Sequence, residues 1–210
     1  MNMLNNPAAL LGRGFFNLLE TIGRISIFSI VSSSHCLRPR FYPQLIIKQM
    51  IEVGYYSLPV VGLTGIFAGM VLALQSYTGF SRFAAESAIP AVVVLSITRE
   101  LGPVLAGLMV AGRVGAAMAA EIGTMRVTEQ IDALTTLSTN PFKYLIAPRL
   151  IAGALTLPLL VLIADIIGVL GGYLVCVYKL GFNSDAYITN TFDFLQPMDV
   201  ISGLVKAAVF

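Results

Sequence analysis

Long apolar stretches, separated by short polar segments, dominate this chain. They cover residues 55–75, 90–120 and 150–177, and a further run, 200–210, begins near Val200 and reaches Phe210. A helix needs about 20 residues to cross the hydrocarbon core of a membrane, so the pattern predicts three complete transmembrane spans. The run at 200–210 forms only about 16 Å of helix, which predicts part of a fourth span and a chain that stops inside it.

The N-terminal region has a different, amphipathic pattern. Over residues 11–31, Glu20 and Arg24 lie among apolar residues that recur at helical spacing: Phe15, Leu18, Leu19, Ile22 and Ile25. This arrangement predicts a helix lying in the membrane interface. A helix packed on another subunit is the alternative.

The composition agrees with a membrane protein. Hydrophobic residues make up 57% of the 210 and charged residues only 11%, whereas soluble domains are about 25% charged. A chain of this size cannot bury so many apolar side chains in one core. We therefore predict an all-α polytopic membrane protein, in which residues 1–210 form one domain with an interfacial N-terminal helix and a transmembrane helix bundle.

The distribution of lysine and arginine predicts the orientation. Five precede the first span (Arg13, Arg24, Arg38, Arg40 and Lys48), one follows it, three lie in or beside the 121–149 loop, and one follows the third span. Cytoplasmic loops carry the excess of positive charge. The N-terminus and the 121–149 loop are therefore expected in the cytoplasm.

Small residues recur every four positions along the second span, at Gly107, Ala111, Gly115 and Ala119. The first span repeats the pattern at Gly65, Gly69 and Ala73. Such ladders allow helix backbones to approach closely in lipid. They predict a tightly packed, oligomeric bundle.

Four charges lie within the apolar spans. At 1.5 Å per residue, Arg99, Glu100, Asp165 and Lys206 all fall in the outer half of the bilayer. Their depths permit Glu100 to pair with Lys206 and Arg99 with Asp165. Intramembrane charges are usually functional, so we expect a polar patch lining a substrate cavity, with a purely structural charge network as the alternative.

Two further residues belong to this region. Pro103 has no N–H to donate to the carbonyl of Arg99, so that carbonyl is free and the helix is expected to kink. Gln75, at the outer end of the first span, either lines the same cavity or is an ordinary interfacial side chain.

The loop between the second and third spans contains a short amphipathic segment, 128–138, that ends before Asn140-Pro141. Its predicted role is docking to a cytoplasmic partner, and an ordinary interfacial helix is the alternative. Its apolar side carries Ile131 and Leu134, and its polar side carries Glu129, Gln130 and Asp132.

Catalytic signatures are missing from the sequence. No lysine precedes a serine or threonine, which excludes a Walker A loop, and His35 is the single histidine. Cys36 and Cys176 lie far apart and form no metal-ligand or disulfide pattern. We expect no enzyme activity, no cofactor and no metal, and a net charge of +2 gives no reason to expect nucleic acid.

One long block of the sequence resembles a known protein family. RELGPVLAGLMVAGRVGAAMAAEIGTMRVTEQIDAL (99–134), followed by NPFKYLIAPRL (140–150), closely resembles the MlaE-type permease family of lipid-transporting ABC systems. The resemblance implies a homodimer, each protomer having an interfacial helix and five transmembrane helices. It also implies two cytoplasmic ATP-binding subunits and a periplasmic MCE-domain lipid-binding protein. Within the chain it implies a coupling helix at 129–134 and a lipid cavity that opens outward between the protomers. Glu100 and Lys206 match charged positions in the membrane interior of the family.

The sequence departs from the family at two places. Ser138-Thr139-Asn140-Pro141 replaces the usual Gly-x-Asp-Pro, and a fifth helix is missing. The function implied is that of a permease subunit in the bacterial inner membrane, moving phospholipid or a related lipid to or from a periplasmic carrier. The alternatives are an ion- or proton-coupled secondary transporter using the four charges, and a non-transporting membrane anchor.

Overall fold

The computed structural model describes residues 7–36 and 42–209, and every regular element within those ranges is helical. Arg38 and Arg40 of the orientation prediction, and Phe210 of the partial span, lie outside them. The α-helices are α1 (Pro7–Cys36), α2 (Pro43–Val53), α3 (Leu58–Phe80), α4 (Ile89–Ser96), α5 (Gly102–Val127), α6 (Gln130–Thr136), α7 (Ala147–Leu174), α8 (Ser184–Phe194) and α9 (Pro197–Val209). Three π-helical turns, Ile97–Leu101, Phe142–Ile146 and Val175–Lys179, lie beside them.

The predicted fold class is confirmed. Within the described ranges, four helical stretches are long and apolar enough to cross a membrane: Gly12–Cys36, Pro43–Phe83, Glu86–Val127 and Phe142–Lys179. The first of them, which holds most of α1, is exposed over most of its length, and only the described residues near its C-terminal end, such as Ser32, are buried or half-buried. It is longer than the predicted 11–31 segment, and its position in the membrane interface remains a prediction.

The helices extend beyond the apolar runs that predicted them. The second span, predicted to end at residue 120, continues to Val127 through the polar residues Glu121 and Arg126. The first, predicted at 55–75, becomes α3 and ends at Phe80. Hydropathy marks the part of a helix that lies in lipid, whereas the helix itself ends only where backbone geometry changes, as at the left-handed Ala84 that follows the turn after α3.

α7 is the central helix of the bundle, and its contact with α3 is unusually close. A Cβ added to Gly69 would overlap the carbonyl oxygen of Gly168 and lie 2.7 Å from its carbonyl carbon. Gly65 and Ala73 are buried on the same face of α3. The small-residue ladder predicted for the first span is therefore used for backbone-to-backbone packing.

The two ends of the bundle carry different short helices. α6 follows α5 through Glu129, which has a left-handed backbone, and α8 packs on α4. We call these the α6 end and the α8 end. Cys176 is fully buried in an apolar cluster near the α8 end, with Ile89 and Val93.

Candidate functional site

The apolar helix between α4 and α5 changes register at the π-helical turn Ile97–Leu101. Pro103 cannot supply the N–H that the carbonyl of Arg99 would accept in a regular α-helix. Just before it, the N–H of Gly102 bonds to the carbonyl of Ile97, five residues back. Such π turns occur frequently at functional sites.

Lys206 of α9 contacts this turn twice. Its Nζ donates to the Glu100 carboxylate at 2.8 Å and to the carbonyl oxygen of Arg99 at 2.9 Å. The predicted Glu100–Lys206 pair is thus confirmed, and the carbonyl freed by Pro103 is satisfied by the same ammonium group. α9 reaches the turn because Gly203 has no side chain; a Cβ there would overlap the carbonyl oxygen of Thr98.

The predicted pair of Arg99 with Asp165 is wrong. Arg99 Nε lies 3.7 Å from Asp199 Oδ1, in the first turn of α9. Asp199 and Lys206 are seven positions apart and therefore share one face of α9. That spacing is the signal in the sequence that identifies Asp199 as a member of the site.

Asp165 lies apart from these ion pairs, inside the bundle. It is only 6% exposed, and its Oδ1 has no hydrogen-bond partner among the residues of the described ranges. The carboxyl packs on α5 in the space left open by Gly102, where a Cβ would overlap Oδ1. Asp165 therefore touches the start of α5 through packing and forms no ion pair with the described residues of the turn.

Arg99, Glu100, Asp199 and Lys206, which we call the charge cluster, lie on an open face of the chain. The side chains of Glu100 and Lys206 are 65% and 45% exposed, so these two charges are not buried as the sequence suggested. Two cations and two anions make the cluster neutral overall. Gln75 is exposed on α3 and forms no side-chain hydrogen bond with any described residue.

The predicted coupling segment, 128–138, contains a helix that is shorter than predicted. α6 covers Gln130–Thr136, between left-handed residues at Glu129 and Ser138. Its Asp132 pairs with Arg126 at 3.0 Å, while Ile131 and Leu134 are half-buried and Glu129, Gln130 and Asp132 are exposed. The segment is thus a short, mostly exposed helix at the α6 end, and its docking role remains a prediction.

The small-residue ladder of the second span differs from that of the first. Gly107 is buried, but Ala111, Gly115 and Ala119 are exposed. A Cβ on Gly115 would meet no atom of the described chain within 4 Å. The packing role predicted for these residues remains a prediction.

The long apolar helical stretches define an integral membrane protein with several helical passes. The comparison with known families then specifies it further. Residues 46–210 match the family model described as Permease MlaE. The chain belongs to the MlaE permease family.

Its relatives include a "Probable ABC transporter permease protein" of Rickettsia bellii (strain RML369-C), 65% identical over 99% of this chain and 80% of the relative. The "Intermembrane phospholipid transport system permease protein MlaE" of Haemophilus influenzae (strain ATCC 51907 / DSM 11121 / KW20 / Rd) is 36% identical, with the same two coverages. "Protein TRIGALACTOSYLDIACYLGLYCEROL 1, chloroplastic" of Arabidopsis thaliana is 38% identical over 78% of this chain and 47% of the relative.

These matches confirm the resemblance drawn from residues 99–150. The chain is an ABC transporter permease, a multi-pass membrane protein that is not itself the catalytic subunit and that works with ATPase partners. Membership of an ABC family decides against the ion-coupled secondary transporter as the alternative function.

Proposed function

We propose that this permease moves a phospholipid between the bacterial inner membrane and a periplasmic lipid carrier. The charge cluster is the observation that carries the proposal. A neutral arrangement of two cations and two anions, open on one face of an apolar bundle, complements a phospholipid headgroup, in which a phosphate accompanies a polar or cationic group. The related Haemophilus protein is named for phospholipid transport, which supports the same substrate class.

The arrangement of the ends supports an orientation and a set of partners. With the N-terminus and the α6 end in the cytoplasm, α6 would meet an ATP-binding subunit, and the cluster would lie toward the periplasm. An MCE-domain lipid-binding protein would receive or deliver the lipid there. A homodimer would enclose the open face that carries the cluster, because charged side chains facing lipid are costly.

Replacing Glu100 by Gln tests the role of the cluster. The amide keeps the shape of the side chain but loses the charge that Lys206 neutralises. We expect lipid transfer by the reconstituted transporter to fall several-fold, because the neutral amide no longer balances the Lys206 ammonium and the cluster loses its neutrality. Transfer of a labelled phospholipid from proteoliposomes to a soluble carrier measures it.

Glu86→Gln is the matched control, because Glu86 is exposed near the α8 end and lies in none of the ion pairs of the described residues. Its transfer rate should equal that of the unmodified protein. If Glu100→Gln assembles normally and transfers lipid at the unmodified rate, the cluster has no part in transport.

Replacing Asp132 by Ala tests the docking role of α6. The Arg126–Asp132 pair is well exposed, so its loss should change stability by less than about 1 kcal/mol. We expect the variant to fold but to retain several-fold less ATP-binding subunit on purification from membranes. Asp185→Ala, at the exposed start of α8, should retain the normal amount; equal retention by both variants would remove α6 from the docking surface.

A further inference from the structure

The C-terminal part of α1 contacts the segment that joins α6 to α7. His35 lies in the last turn of α1, and its ring stacks on the ring of Phe142 with the centroids 5.7 Å apart. The ring of Phe28, two helical turns earlier on α1, lies 5.8 Å from the same phenyl group. Residues seven positions apart share one face of a helix. One face of α1 therefore holds Phe142 from two positions.

Hydrogen bonds add to this aromatic contact. The side-chain oxygen of Asn140 accepts from the N–H of Phe142 at 2.9 Å, so the amide nitrogen of Asn140 is the atom that faces His35 Nε2, at 3.4 Å. An amide nitrogen can only donate, and Nε2 is therefore the acceptor. The ring proton is then on Nδ1, which donates to the carbonyl oxygen of Val31 at 2.8 Å. Each donor in the contact thus has an acceptor.

The segment that α1 holds is the irregular start of a long helical stretch. Phe142–Ile146 forms a π-helical turn, and α7 continues from it without a break. Helices kink sharply at π turns, so this is the place where α7 bends most easily relative to α6. Tyr144, on another side of the turn, has its ring 5.7 Å from that of Tyr42, which precedes α2. The turn is therefore held from two directions, and α1 provides one of them.

We propose that α1 keeps this turn rigid, so that movement of an ATP-binding subunit docked on α6 is passed to α7 and is not lost by bending at Phe142–Ile146. α7 is the central helix of the bundle and packs closely on α3, so a movement that reaches α7 reaches the spans. His35, Asn140 and Phe142 are then positioning residues, which act through the backbone of the turn. The proposal rests on the docking role that the proposed function gives to α6.

Phe142→Ala in the complete transporter tests this role, with ATP hydrolysis and phospholipid transfer measured on the same proteoliposomes. We expect ATP hydrolysis at the unmodified rate and about fivefold less phospholipid transferred per ATP, because two aromatic contacts of the turn are lost. Phe16→Ala is the matched control, because it removes an exposed ring of α1 that lies well before Phe28. It should leave both rates unchanged. An equal loss with Phe16→Ala would mean that α1 acts only as a membrane anchor, and would overturn the proposal.

His35→Ala provides a second variant in case Phe142→Ala does not fold. It removes the same stack, so combining it with Phe142→Ala should cost little more than Phe142→Ala alone, because residues in contact are not additive. Asn140→Asp keeps the acceptor for the Phe142 N–H and should retain the transfer per ATP, whereas Asn140→Ala should lose much of it. Single losses that multiply in the double variant, or equal transfer per ATP in the two Asn140 variants, contradict the proposal.

A fluorescent amino acid at Tyr178 measures the movement without reference to lipid. Tyr178 is exposed near the far end of the helical stretch that contains α7. ATP should change its emission in the unmodified complex and not in Phe142→Ala, while both retain the normal amount of ATP-binding subunit. The proposal is wrong if the emission changes in both or in neither, or if Phe142→Ala loses the ATP-binding subunit. If the unmodified complex shows the change but transfers no phospholipid, the proposed function fails and the role of α1 does not.

Discussion

Gly69→Ala is expected to destabilise the helix bundle by about 3 kcal/mol, at the upper end of the usual cost of overpacking. The added methyl group would overlap the carbonyl oxygen of Gly168 and lie 2.7 Å from its carbonyl carbon. Both obstacles are backbone atoms of the central helix, so no side chain can rotate to relieve the overlap, and α3 must move away from α7. Thermal unfolding of the detergent-purified protein should show a midpoint several degrees lower.

Gly79→Ala is the matched control on the same helix. A Cβ at Gly79 would meet no atom of the described chain within 4 Å, and alanine is the better helix former. Its midpoint should match or slightly exceed that of the unmodified protein. Equal midpoints for Gly69→Ala and Gly79→Ala would mean that the α3–α7 contact is looser than the structure shows.

The spans were predictable from sequence because lipid leaves the backbone few options. Each backbone N–H and C=O in the hydrocarbon core needs an internal partner, so an apolar run of sufficient length becomes a helix. The ladders on α3 and α5 show the limit of this reasoning. Both have small residues every four positions, but among the described residues only the ladder on α3 is covered along its length, whereas most of that on α5 is exposed. Spacing identifies a face that permits close approach without identifying its neighbour.

The charge cluster was predicted in part, for a related reason. The regular rise of a helix gives each residue an approximate depth, and these depths permitted the pair of Glu100 with Lys206 that the structure contains. The depth of a residue does not, however, specify the direction in which its side chain leaves the helix. The depths also permitted Arg99 to pair with Asp165, but Arg99 lies beside Asp199 instead. Helix rotation depends on packing against other helices, which a single sequence does not specify.

The sequence predicted the free carbonyl at the π-helical turn, but it did not predict which group would bond to that carbonyl. Pro103 correctly predicted a carbonyl without its helical partner at Arg99. The shift to bonds five residues apart, and the approach of Lys206 from a helix more than 100 positions away, depend on Gly203 admitting α9 to the turn. The packing of α9 against the turn therefore determines which donor bonds to the Arg99 carbonyl.

Lys206→Met is expected to reduce lipid transfer at least tenfold and more than Glu100→Gln does. Methionine keeps much of the apolar stem but removes the ammonium, so the Glu100 carboxylate and the Arg99 carbonyl lose the same donor. Two acceptors in an apolar surrounding would then need water or other donors, and the turn would lose its attachment to α9. Phospholipid transfer from proteoliposomes, with size-exclusion chromatography to verify the fold, measures the effect.

Exchanging the charges separates the ion pair from the contact with the turn. Combining Glu100→Lys with Lys206→Glu restores opposite charges, but a carboxylate at position 206 cannot donate to the carbonyl of Arg99. If holding the turn matters, the double variant should remain as inactive as Lys206→Met, whereas Lys206→Arg, which keeps charge and donors, should recover most transfer. Full activity in the double variant would show instead that the cluster needs only its charge balance, and that the bond to the Arg99 carbonyl is incidental to lipid movement.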